Sequence, residues 1–234
     1  MTMHYALAPH IRVCRTQCDT VGLDLQRNRY FGLGDNETSL LVHLGVLDGG
    51  EATLLSGSQV STLRDALMRA GLLVPADATH EGTGSGPSMT MDPPAASAGY
   101  EHTDTAPIRM HHILNLLRAF MWAQLALKKQ SLHAISLQVS RARLTRKEPF
   151  ESSRAIALVS TFRRLRPFLY GARQRCLLHA LTLTRFLAHY DQYPHWVIGV
   201  RTRPWAAHSW VQAGVMVLDG RPDDVCDYTP LLTA

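Results

Sequence analysis

Residues 173–190 read RQRCLLHALTLTRFLAHY, and the rest of the C-terminal half is organised around them. Leu177, Ala180, Leu181, Thr184, Leu187 and Ala188 recur at helical spacing, so the run predicts a helix that opens at Cys176. A thiol at a helix N-terminus faces unpaired backbone N–H groups and the positive end of the macrodipole. With Arg173 and Arg175 beside it, its thiolate is favoured relative to a free cysteine of pKa about 8.5. A cysteine at a helix start is by itself more often a small buried hydrophobe. The residues C-terminal to it argue for chemistry.

A nucleophilic thiol needs a base, and the base needs an orienter. The segments WVIGVRT (196–202), AAHSWVQAG (206–214) and VMVLDG (215–220) read as successive strands. If Ala213-Gly214 is a two-residue hairpin loop, His208 stands directly across from Asp219. Cross-strand Cβ atoms in such a pair lie about 4.5–5.5 Å apart, within reach of an imidazole–carboxylate hydrogen bond. A three-residue loop would stagger the pair, and Asp223 and Asp224 are then the alternative orienters. The Cys176 backbone N–H is the expected oxyanion donor; Gln174 could assist it, or be an ordinary polar loop residue. The candidate catalytic set is Cys176, His208 and Asp219.

A cysteine opening a helix, a histidine on the next strand and an aspartate after it resembles the transglutaminase-like, papain-type cysteine proteases. More narrowly, CLLHALTL, VIGVRT, AHSWV and VMVLDG resemble the C-terminal half of the lasso peptide B proteins over residues 108–234, with Ser209 standing where that family commonly has Ala. The resemblance implies a leader peptidase of lasso precursor maturation that binds no cofactor itself. It also implies a partner, an asparagine-synthetase-like macrolactam synthetase that uses ATP. An amide-forming acyltransferase of the same fold and a non-catalytic peptide-binding or regulatory module are the alternatives.

Composition sets the outer bounds. The 234 residues are 46% hydrophobic and 18% charged, enough apolar content for a folded core. No run of about 18 apolar residues occurs, and MTMHYALAPHIRV lacks a basic-then-apolar targeting pattern, so a cytoplasmic protein with no membrane span is expected. Cys14, Cys18, Cys176 and Cys226 form no paired spacing, and His111, His112 and His133 join no carboxylate at ligand spacing, so no metal site is expected. No phosphate-binding glycine loop occurs. The net charge of +5 is uneven: residues 1–75 hold 6 basic and 7 acidic residues, 76–107 hold 0 and 5, and 108–234 hold 18 and 7. The basic excess lacks interleaved aromatics or a groove-reading helix, so it predicts a solvated face or a peptide contact and not nucleic acid.

Residues 1–75 read as strands Tyr5–Val13, Val21–Leu25 and Arg29–Leu33. A helix runs from Asp35 to Leu47, ended by Gly49-Gly50, and a second from Ser58 to Ala70. This is a winged-helix-like α+β module whose net charge of −1 disfavours DNA. DTVGLDLQRNRYFGLGDNETSLLVHL, closed by GLLV, resembles the precursor recognition element, similar to the pyrroloquinoline quinone chaperone domain, with which lasso B proteins bind the leader. That resemblance implies leader contacts at Arg29, Tyr30, Phe31 and Leu33 on the sheet edge, and at Leu63 and Leu67 on the second helix. Residues 76–107, rich in Pro, Gly, Ser, Thr and Ala without apolar period, read as a linker. Helices are expected over 108–147 and Ser152–Phe168. The predicted fold class is thus α+β, with recognition domain 1–75, linker 76–107 and protease domain 108–234.

Overall fold

The alternating and helical apolar periods of residues 4–76 become five strands and two helices: β1 His4–Leu7, β2 Ile11–Arg15, β3 Thr20–Asp24, β4 Arg29–Leu33, α1 Asp35–His43, α2 Gly57–Arg69 and β5 Leu73–Ala76. The computed structural model describes residues 4–48, 53–76, 92–98, 107–145, 150–169 and 176–234. The chain divides into two compact units, one of Met1–Thr90 and Thr202–Pro204, the other of Met91–Arg201 and Trp205–Ala234.

In the first unit the expected strand Tyr5–Val13 is interrupted by a turn, in which Ile11 N–H donates to Ala8 C=O at 2.8 Å. β1 therefore pairs with β5, while β2, β3 and β4 form an antiparallel sheet with β3 in the middle. All five residues of β3 are buried, Gly22 among them. Phe31 is the cross-strand partner of Gly22, and a side chain on Gly22 would collide with the Phe31 ring. The glycine is a slot for that aromatic. α1 stops earlier than the Leu pattern suggests, at Gly45, whose φ of 68° suits a residue without Cβ. The Gly49-Gly50 stop read from the sequence lies outside the described residues. A capping box starts α2: Ser56 Oγ accepts from Gln59 N–H at 3.4 Å, and Gln59 Oε1 accepts from Ser56 N–H at 2.9 Å. Leu7, Ile11, Leu40, Leu41, Leu67 and Leu73 make the core, with Phe31, Leu33 and Leu63 partly buried against it.

The second unit contains α3 Met110–Lys129, α4 Leu132–Leu144, α5 Ser152–Leu165, a 3-10 turn Arg166–Phe168, α6 Cys176–Ala188 and a five-stranded sheet. The single helix expected over 108–147 is two. It breaks at Gln130, and Ser131 caps the second by accepting from Ala134 N–H at 3.2 Å. α6 is buried almost all round, through Leu178, Ala180, Leu181, Leu183, Phe186 and Leu187, as a helix at the centre of a domain must be. Its buried hydroxyls are satisfied within the helix: Thr182 donates to Leu178 C=O at 2.7 Å and Thr184 to Ala180 C=O at 2.9 Å. It packs against α3, α5 and β8 (Trp205–Ala213).

The sheet runs β10 (Thr229–Thr233), β7 (His195–Thr202), β8, β9 (Met216–Val217), β6 (Ala96–Ser97). β10 and β6 carry no strand signal that the sequence reading caught. β6 lies in the stretch read as a linker, and pairs parallel with β9. Ser97 Oγ donates to Gly220 C=O at 3.0 Å, and Arg163 bridges Ala98 C=O and Leu218 C=O at 2.9 and 3.1 Å. The architecture of the described residues is α+β.

Candidate active site

Cys176 is the first described residue of α6 and is partly buried. Arg173, Arg175 and Gln174 lie outside the described residues. Cys14 contrasts with it: buried in the first unit, its thiol is pushed up to about 12 by desolvation, so it stays protonated and inert.

His208 and Asp219 come from the β8–β9 hairpin, but its register is not the expected one. The loop is Gly214-Val215, with Gly214 at φ 55°, so Ala213 pairs with Met216 and Gln212 with Val217. Only glycine enters that loop conformation cheaply, and this moves the turn one residue along. Asp219 therefore does not face His208 across the ladder. Its Oδ1 accepts from Val211 N–H at 2.9 Å, and its Oδ2 lies 3.6 Å from His179 Nδ1. His208 shares this electrostatic cluster without a direct hydrogen bond to Asp219. Burial, the largest influence, pushes its pKa below the ordinary imidazole value. Asp219 and Asp224 pull it back up, and His179 pushes it down again. A neutral imidazole at neutral pH is the state that can accept a proton.

The His208 ring is held by aromatics. It stacks with Trp210 (centroids 6.2 Å, 13° between planes) and meets Tyr228 at 5.5 Å, over which Arg201 lies at 5.2 Å. The Trp210 indole sits over Gly199, where a Cβ would come within 2.6 Å of Cη2. Asp224 is in the 3-10 turn Pro222–Asp224, where its Oδ2 accepts from Arg221 N–H at 2.9 Å; Asp223 is exposed in the same turn. Ser209 points into the core, where its Oγ accepts the indole N–H of the fully buried Trp196 at 2.8 Å. Ser209→Ala should therefore cost about 1–3 kcal/mol by leaving that N–H without an acceptor. Thermal melts of the two proteins, with Trp fluorescence as the probe, check it.

His179 is the residue the sequence reading missed. It comes three positions after Cys176 on a helix, a spacing that puts two side chains on one face, and that i, i+3 relation was the available signal. No hydrogen bond joins Cys176 Sγ to either histidine among the described residues. The described residues also contain no group of three or more His, Cys, Asp or Glu side chains placed to hold a metal ion. No helix among them is long and apolar enough to cross a membrane.

A family model described as the transglutaminase-like superfamily matches residues 117–233, which takes in α6 and every member of this cluster. The chain belongs to the transglutaminase-like superfamily. Within this transglutaminase-like chain a 48-residue stretch is 42% identical to the microcin J25-processing protein McjB of Escherichia coli, covering 20% of this chain and 23% of that protein. The match thus spans about a quarter of the curated relative's length. Both likenesses support the lasso peptide B-protein family that the CLLHALTL and AHSWV motifs suggest. No solved structure matches.

Proposed function

We propose that this transglutaminase-like protein is a cysteine peptidase that removes the leader from a lasso precursor peptide. The observation that carries the reading is Cys176 on α6, in a chain whose superfamily membership covers that helix, with α6 packed against β8, the strand that carries His208. The stretch shared with a microcin-processing protein supports the substrate class. In this mechanism the Cys176 thiol gives its proton to His208 and its sulfur attacks the scissile carbonyl, with the Cys176 N–H receiving the developing oxyanion. The imidazolium returns the proton to the leaving amine. Water then adds to the thioester, and the leader leaves as a free acid. Asp219 supports the cation electrostatically. The ring-closing step falls to a separate ATP-using macrolactam synthetase.

The test is incubation of the full chain with a precursor and mass spectrometry of the products: free leader carrying a new carboxyl terminus is expected. Incorporation of an added amine at that carboxyl would move the reading to acyl transfer. Asp219→Asn should slow cleavage, by less than the about 10⁴-fold lost when a carboxylate hydrogen-bonded to the imidazole is replaced, because Asp219 acts on His208 through its charge. Unchanged single-turnover rates would shift that role to Asp224, which also acts on His208.

Leader selection is assigned to the first unit, a winged-helix-like recognition element in this reading. Among the described residues β4 has a hydrogen-bonded neighbour on one side only, and an extended peptide can pair with its open edge. Arg29 is exposed there, and Tyr30 is half-buried. Beside the edge Leu7, Ile11, Phe31, Leu33, Leu67 and Leu72 line a narrow apolar crevice that would have to widen to admit a leader side chain; Leu63 packs against the same core. Phe31→Asp in the full chain should weaken leader binding at least tenfold, measured by fluorescence anisotropy with labelled leader. Equal affinity in the two proteins would remove β4 from the reading.

A further inference from the structure

We infer that His179 is a positioning residue of the active site: it holds the Asp219 carboxylate on α6, so that Asp219 acts on His208 by its charge and not by a direct hydrogen bond. The inference rests on the nucleophile assignment above.

The hydrogen-bond chemistry leaves one arrangement. Arg166 Nη1 lies 3.2 Å from His179 Nε2. A guanidinium only donates, so Nε2 must offer its lone pair and the ring proton sits on Nδ1. Nδ1 lies 3.6 Å from Asp219 Oδ2, a polar contact longer than a hydrogen bond. The other carboxylate oxygen is occupied by Val211 N–H at 2.9 Å. Phe162 sets the imidazole plane from the side, edge-on at 5.4 Å. The series Arg166–His179–Asp219–Val211 therefore sets a carboxylate in the bend after β9 against α6, one turn from Cys176. Asp219 is 5% exposed in its side chain, and its negative charge in that setting acts over several ångströms with little screening. Charged and titratable groups around His179 among the described residues include Cys176 one turn back on α6, Asp219, Arg166 and His208, with Asp224 acting on the same His208. Like charge on His179 would oppose charge on His208, but with Nε2 accepting from Arg166 the ring carries no such charge, and its part is to keep in place the carboxylate that supports the His208 cation. Without His179 the thiolate–imidazolium pair is less stable.

Alkylation of the full chain by iodoacetamide across pH 4–10, with Cys176 followed by peptide mass spectrometry, reads this pair without needing a precursor. The wild-type protein should alkylate Cys176 at neutral pH at least tenfold faster than the exposed Cys18 and Cys226. His179→Ala should lower that Cys176 rate about tenfold. His179→Asn, whose amide can reproduce the Nδ1–H donor, should restore most of the wild-type profile. An unchanged His179→Ala profile overturns the inference, and so does an equal loss in both variants at unaltered melting temperature. A wild-type Cys176 that alkylates fast in a protein that cleaves no precursor refutes the peptidase reading alone, and the variants still decide His179. A wild-type Cys176 that alkylates no faster than Cys18 and Cys226 refutes both.

Discussion

Cys176→Ala should release no free leader from a precursor, a loss on the order of 10⁶-fold, the size seen when a triad nucleophile is removed. The thiol sits at a helix start and is only partly buried, so its removal leaves a small void and the fold unchanged. Leader affinity should also stay within about twofold, because the proposed leader contacts are on β4 and α2, in a different unit. Mass spectrometry after long incubation gives the first result and anisotropy the second. Cleavage by Cys176→Ala at more than a thousandth of the wild-type rate would refute the nucleophile assignment. Cys14 cannot substitute, since its buried thiol stays protonated across the working range.

His208→Ala should be comparably severe, roughly 10⁴–10⁶-fold, because without a base the thiol is neither deprotonated nor the leaving amine protonated. The variant should also differ from wild type in how its stability depends on pH. Burial, partly offset by Asp219 and Asp224, sets the folded pKa of His208 below its unfolded value of about 6.5. In the interval between the two values the unfolded chain binds more protons than the folded one. The contribution of His208 is therefore fully present above about pH 6.5 and is lost as pH falls towards the lower, folded pKa. Between pH 7.5 and 5.5 the melting temperature should fall further in wild type than in His208→Ala. Equal falls would mean that the ring is not desolvated in solution.

Much of this protein was determined by its sequence alone, where one element's own residues set its form. The period of Leu177, Ala180, Leu181, Thr184, Leu187 and Ala188 marks out the α6 helix. The alternation in β3 and β4 fixes their pairing, since slipping one residue would turn Leu23 and Phe31 out of their places. Tertiary structure decided what depends on partners far along the chain. Ala96–Ser97 has no strand pattern, and becomes β6 only because β9 presents an edge and Arg163, Ser97 and Gln212 hold the segment there. The split between α3 and α4 turned on one cap at Ser131 inside a continuous apolar period. The β8–β9 register depended on which residue took the positive φ, and Gly214 took it at the first loop position. That shift of the turn is why Asp219 meets His179 and not His208. A sequence pattern carries the period of a strand, but the partner of its last carboxylate is set by the packing of a helix about forty residues away.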